Sequence, residues 1–516
     1  MTDAAPLPLA ALEHRLRPLL PADLYAAAWL EPSPAALKRV FDHLRTLQRI
    51  LYDYVPRQVS EHLPTPGETR HEWQEGTLMF TDLAGFTPLM EANAARGQAG
   101  AEALLGVLNS YFAEMIEIIG KSGGNLLEFT GDAMLAQFET DQRGSDAAQA
   151  VRAGLRMQRA MRRFASLETG QGTLSLGMRI GLHTGRFLTA DIGTPRRMNH
   201  VLFGSTVQRT KQAEGAGRVG RVCLTEAAGR RVQDQFRFEP GQPGYALVVD
   251  DLSDEALGGF DIAPTTRRQP SMVLMDRSVG GMLAAIEQAV NVVEPMASYL
   301  PLPVLELVVE TAARRRIPPE FPRPTAMFVN LIGVSEAVDE AQPGEEQSLV
   351  AAFSRAFALI NAAVEARGGV MKNITYHLNG SDMLIFFGAP NAHTDDPLRA
   401  AHTALAIRDI LGQITLPAVG GKPRQLACQI GLNRGPAFAA EIGEPRGRRE
   451  YNVLGDTINT AARVMSRAAG NRVLMTEAVY QEIAPLFECE TLGAVSLKGK
   501  AAPTPLFALV RAPDAE

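Results

Sequence analysis

FTDLAGFT, residues 80–87, decides how this chain is read, because an altered version of it recurs as FVNLIGVS at residues 328–335. Working outward, the same series of stretches follows each version. After the first come GGNLLEFTGDAMLAQF from Gly123, RIGLHTG from Arg179, FGSTVQRTKQ from Phe203 and RVCLTEA from Arg221. After the second come GGVMKNITYHLNGSDMLIFFG from Gly368, QIGLNRG from Gln429, LGDTINTAAR from Leu454 and RVLMTEA from Arg472. Matching positions stay 245 to 251 residues apart, the mark of an internal duplication. The copies differ where it matters chemically. Asp82 and Asp132 stand in the first copy only; Lys372, Asn459 and Arg463 stand in the second only. One composite site between two unlike halves is the expectation.

TLMFTDL reads as a buried strand, and residues 99–119 have helical period before a Gly-Gly turn. LLEFTGDAMLAQF reads as two strands joined by a tight Thr-Gly-Asp turn, and LSLGMRIGL as a further strand. Ahead of the first copy, Leu37, Val40, Leu44, Leu47, Leu51 and Tyr54 fall at heptad spacing between Pro34 and Pro56. Fewer than three heptads predict an amphipathic helix packed on its own domain; a coupling helix that forms a homodimer is the alternative. Each copy is preceded by a helix-like run and a Tyr-x-Pro, at Tyr54 and Tyr299. The expected division is a helical extension over 1–70, a first domain over 72–250, a helical linker over 251–320 and a second domain over 322–512.

Composition narrows the function. A net charge of -6 gives no support to a nucleic-acid surface. Cys223, Cys428 and Cys489 lie far apart, form no zinc pattern and fit a reducing compartment. The N-terminal stretch lacks the basic start and apolar run of a signal peptide. No run of 18 uncharged apolar residues occurs, so no membrane span is expected. These readings point to a soluble, cytoplasmic protein. No GxxxxGK[ST] loop is present, which excludes a P-loop enzyme.

Asp82 ends a predicted strand and Asp132 sits in a predicted hairpin turn. If those strands pair, both carboxylates reach one sheet edge. Such a pair suits Mg2+ or Mn2+, bound through one or two carboxylates plus substrate phosphates. Two such ions about 4 Å apart activate an attacking oxygen and stabilise a leaving one.

FTDLAGFT, Gly131-Asp132 after Gly123-Gly124, and Asn459-x3-Arg463 after Gly455 together resemble the class III nucleotidyl cyclases. The lopsided pair in one chain is most similar to the soluble adenylyl cyclase branch. The resemblance implies an α+β fold: two tandem ferredoxin-like βαββαβ domains, paired head to tail with the site at their interface. It implies cyclisation of ATP to cyclic AMP, in which the 3′-hydroxyl attacks the α-phosphate and pyrophosphate leaves. Asp82 and Asp132 match the two metal aspartates; Asn330 and Ser381 replace them in the second copy. Asp382 is one residue off and faces away if the strand is regular.

Lys372 matches the base-reading lysine, where the first copy has Glu128. Asn452 stands where adenylyl cyclases place an acceptor for the adenine amine; its amide can also donate. Asn459 matches the ribose-orienting asparagine and Arg463 the arginine that stabilises charge on the α-phosphate. Gln208 and Gln212 replace them in the first copy. Arg179 and Lys498, with Lys500 a near substitute for the latter, resemble the phosphate cations. Glu128, Gln208 and Gln212 are expected to line a second, regulatory pocket. The soluble branch binds bicarbonate there with a lysine at the Glu128 position, so a glutamate argues against that activator. A guanylyl cyclase and an inactive cyclase-fold nucleotide sensor are the alternatives.

Overall fold

Strand β1 (Arg70–Ala84) carries Asp82 near its end and is buried from Gly76 to Thr81. The computed structural model describes residues 9–512, apart from 143, 259–275, 277, 378–379, 445–446 and 501. After helix α1 (Pro34–Tyr54) and β1, the first half runs through helix α2 (Gly97–Lys121) to the hairpin β2 (Asn125–Thr130) and β3 (Ala133–Glu139). Its turn is Gly131-Asp132, and Gly131 takes φ +70°, which favours glycine. Then come β4 (Gly177–Thr194), β5 (Arg197–Phe203), helix α3 (Ser205–Ala216) and β6 (Val222–Thr225). The sheet order is β2-β3-β1-β4-β6, continued by strands at 245–248 and 238–240.

The second half follows helix α4 (Val279–Ala297) and repeats the plan. It comprises β7 (Thr325–Ile332), helix α5 (Glu346–Glu365), β8 (Val370–His377), β9 (Gly380–Phe387), β10 (Ala427–Arg434), β11 (Phe438–Gly443), β12 (Arg449–Leu454), helix α6 (Asp456–Met465) and β13 (Arg472–Thr476). Its sheet order is β8-β9-β7-β10-β13, with strands at 504–511 and 488–495 beyond. Where the first half has one long β4, the second has β10 and β11 separated at Pro436. Proline lacks the N–H that a continuous ladder needs; Arg186 holds the corresponding place in β4.

The halves exchange arms. Leu188, Ala190, Ile192, Val201 and Phe203, from distal β4 and β5, lie in the second half's core. The ring of Phe203 meets that of Phe353 edge-on at 4.9 Å. Phe438, Ala440, Ile442 and Leu454 lie in turn in the first half's core. Two arginines clamp the junction from related places: Arg197 Nη2 donates to the Met371 carbonyl at 3.2 Å, and Arg448 Nη2 to that of Leu127 at 2.8 Å.

The apolar stripe of α1 is buried and packs within the chain against α4. Arg15 and Glu294 pair beside it at 2.6 Å. The stripe is thus covered within the chain, by α4 and by residues of the second half such as Tyr451 and Val453. The lead-in tyrosines cross over: Tyr54 donates its hydroxyl to Glu441 of the second half, and Tyr299 donates to Asp191 of the first at 2.9 Å. By length and apolar content α2 and α5 are long enough to cross a membrane. Each instead buries a face, Leu104, Leu108 and Phe112 in α2 and Phe353, Phe357 and Ile360 in α5, in the core of its half.

Candidate active site

The strand register puts Asp82 directly opposite Arg179 on β4. The Arg179 guanidinium pairs with the Asp82 carboxylate through Nη2, and its Nε lies 2.9 Å from Oε1 of Glu214, in the last turn of α3. Burial, and next the charge of Asp82, push the Asp132 carboxyl up to about 7. The same two causes push Glu214 up to about 7. Arg179 thus has two carboxyls at its guanidinium and a third, Asp132, within reach of its charge, a set of acids that a divalent cation would favour in the ionised form. Among the described residues no three His, Cys, Asp or Glu side chains form a ready-made metal cage. Two aspartates with remaining ligands from a triphosphate fit the hard, oxygen-seeking Mg2+ or Mn2+.

Glu214 was missed by sequence reasoning. The signal available was a third acid present only in the copy that has both aspartates, with Met465 at the matching place. The match is structural. A Cβ on Gly181 would fall 2.0 Å from the Glu214 nitrogen, and one on Gly431 2.2 Å from that of Met465. At the three matching places the second copy is neutral: Asn330 faces Gln429 and donates to its Oε1 at 2.8 Å. Its hairpin also stays paired further, through Tyr376↔Ser381 and His377↔Gly380. The Asp132 turn position has therefore become strand. Asp382 sits opposite Asn330, one step past the Ser381 position.

Lys372 is 4% exposed. Its Nζ donates to the Phe129 carbonyl at 2.8 Å and lies 3.5 Å from Oε2 of Glu450. Burial holds the amine below the usual lysine range, against the pull of Glu450 and Glu128. The Glu128 carboxyl is pushed up to about 8 by burial and then by the charge of Glu450. One expectation is corrected here. Leu126 pairs with Ala136 and Glu128 with Leu135; Met371 pairs with Ile385 and Ile374 with Met383. These bulges match Lys372 to Leu127 and Glu128 to Asn373, one residue away from the Lys372–Glu128 equivalence. The charges of Glu450 and Lys372 both act on Glu128, and Gln208 lies across the junction, 3.5 Å from the Gly380 carbonyl.

Asn452 is fully buried. Its Nδ2 donates to the Gly131 carbonyl at 2.9 Å, and its Oδ1 accepts the Val453 N–H at 3.0 Å. Two residues back on the same strand face, Glu450 also accepts from Asn373 at 2.8 Å. Glu450 was another residue that motif matching passed over. Helix α6 begins after Gly455, whose backbone packs on the Met90 sulfur of the first half. Asn459 is exposed on α6, four residues before Arg463. Arg463 Nη1 is 3.6 Å from Asp456 Oδ1 and is buried without a hydrogen-bond partner among the described residues. Lys500 pairs with the other oxygen of Asp456. Lys498 is exposed, and its charge is felt at Glu214. The fold therefore brings the Gly131-Asp132 turn and Asn452 into contact, with Gly455 at the start of α6 against Met90 and Lys372 on the Phe129 carbonyl of the strand that leads into the turn.

Residues 69–245 and 319–509 match the family described as the adenylate and guanylate cyclase catalytic domain. The chain is 23% identical over 447 residues to adenylate cyclase type 10 of Oryctolagus cuniculus, covering 82% of this chain and 26% of that protein. It is 26% identical over 193 residues to adenylate cyclase 1 of Rhizobium meliloti, covering 36% and 28%. The chain thus spans about a quarter of the rabbit relative's length. Among solved structures, a class III adenylyl cyclase-like ATP-binding protein from Pseudomonas aeruginosa shares the fold across both halves. The TM-score is 0.54 at 14% identity, with 86% of this chain and 93% of that chain covered. With the family matched in both repeats and the two-half fold shared, this chain belongs to the adenylate and guanylate cyclase catalytic domain family.

Proposed function

We propose that the chain converts ATP to 3′,5′-cyclic AMP and pyrophosphate at one composite site between its two domains, 72–250 and 322–512. The observation that carries this reading is the contact of Asn452 with the Gly131-Asp132 turn. It supports a site in which the first half's carboxylates work with the second half's base- and phosphate-binding residues. Asp82 and Asp132 hold two Mg2+ or Mn2+ ions, which when bound lower the barrier to 3′-oxygen attack and neutralise the leaving pyrophosphate. Lys372 donates to the base, and Asn452 borders it. Asn459 orients the ribose. Arg463, charged at every working pH, stabilises the charge that grows on the α-phosphoryl oxygens. Arg179 and Lys498 supply further positive charge near the triphosphate. Three free thiols support a reducing, cytoplasmic setting.

GTP is the second reading. It is favoured by Glu450, an acceptor 3.5 Å from Lys372, since guanine offers an N1–H donor beside its O6 acceptor. Purified chain with Mn2+ and either nucleotide, read by mass spectrometry, decides between them. Cyclic AMP that vanishes in Asp132→Ala supports the proposal, and cyclic GMP supports the second reading. Nucleotide binding with no product places the chain with the nucleotide sensors.

A further inference from the structure

We infer that Glu214 is a positioning residue that draws Arg179 off Asp82 when divalent ions bind; the inference rests on the reading of Asp82 and Asp132 as the metal aspartates. In the structure Asp82 already has a cationic partner, Arg179. An arginine cannot shed its proton to make way for a metal ion, so it has to find another anion. Glu214 is in place for that, with Oε1 2.9 Å from the same guanidinium. It is 5% exposed, so water cannot satisfy its charge, and a two-pronged bond to Arg179 can.

The position is costly on local grounds. A carboxylate in the last turn of a helix faces the negative end of the helix dipole. The second half shows that the fold does not require one. There the same backbone contact is kept at Gly431 and Met465, while the trio reads Asn330, Gln429 and Met465. All three members of the relay are charged in one half and neutral in the other, as expected of parts that act together.

The test is Mn2+ binding to the full chain without nucleotide, followed by electron paramagnetic resonance of the free ion. Glu214→Met, which installs the second half's own residue, should weaken Mn2+ binding about 10- to 100-fold, the range for outer-shell partners. Adding Arg179→Gln should restore most of that loss. Arg179→Gln alone should change binding by less than it does in the Glu214→Met background, a non-additivity that independent charges would not give. Glu214→Gln, which keeps the side chain's shape, carries the same expectation should the methionine variant not fold. Wild-type binding in either variant, or simple additivity, overturns the relay while leaving the cyclase reading intact. Mn2+ binding that survives Asp82→Asn with Asp132→Asn overturns the metal assignment itself.

Discussion

Asn452 and Gly131 meet across the two halves, the side-chain amide of one donating to the backbone carbonyl of the other at 2.9 Å. The residue expected to read the base is thus also a brace for the metal-bearing turn. Asn452→Ala leaves a carbonyl at the junction unpaired, at a cost of about 1–3 kcal/mol. Denaturant unfolding should show that loss. KM for ATP should rise roughly tenfold, equivalent to about 1.4 kcal/mol. Unchanged stability with unchanged KM would show that the brace does not matter.

Asp82→Asn and Arg463→Ala act on chemistry rather than on folding. Each should lower turnover by about 10²–10³-fold, the range for removing one preorganised stabilising group. Far-ultraviolet circular dichroism should stay as in the wild type. Wild-type-like turnover in either variant would remove that residue from the site.

Stability of the metal-free protein should depend on pH in an unusual direction. Asp132 and Glu214 are raised to about 7 and Glu128 to about 8. Between ordinary carboxylate values and these, the folded chain holds protons that the unfolded chain has released. Folding stability therefore falls as pH rises through that window. Melting temperature in a chelator should drop from about pH 5 to about pH 8.5. Asp132→Asn should flatten the slope near neutrality and Glu128→Gln its upper part. Saturating Mn2+ should remove the Asp132 contribution, because a metal favours the ionised carboxylate. A slope unchanged in both variants would contradict the assignment of these groups.

The crossed tyrosines tie the lead-in segments to the opposite halves. Tyr54→Phe removes a hydrogen bond to the carboxylate of Glu441 and should cost about 1.5–3 kcal/mol, the range for bonds to charged groups. Glu441 keeps Arg449 as a partner at 3.1 Å, so the loss should stop short of unfolding. Urea unfolding of Tyr54→Phe and Tyr299→Phe measures both effects; wild-type midpoints would show that water replaces the tyrosines without cost.

Much of this was legible because it is local. The duplication, the Gly131-Asp132 turn and the neutral Asn330 and Ser381 are matters of residue identity and spacing. So is the apolar stripe of α1, although its partner α4 is not, since helices so far apart in sequence meet only through the fold. The match of Lys372 to Glu128 fails by one residue on the count alone, since Lys372 stands four residues after Gly368 while Leu127 is fourth and Glu128 fifth after Gly123; the bulges at the same place in both strands keep that count. Glu214 and Glu450 escaped for another reason. Each gains its meaning from a partner on a different element, Arg179 and Lys372 respectively. The exchange of arms likewise depends on two sheets docking.

That exchange has a consequence for synthesis on the ribosome. Leu188, Ala190, Ile192, Val201 and Phe203 are shielded by Val350, Phe353 and Phe357 of the second half, which emerge later. At about 5–20 residues per second the nascent chain displays this apolar arm for roughly 10–30 s before its cover arrives. The interval is one in which chaperones, or another nascent copy of the same chain, can reach the arm first. Slow codons between the repeats would lengthen that exposure, so yield of active protein should respond to translation speed there with no change in amino-acid sequence.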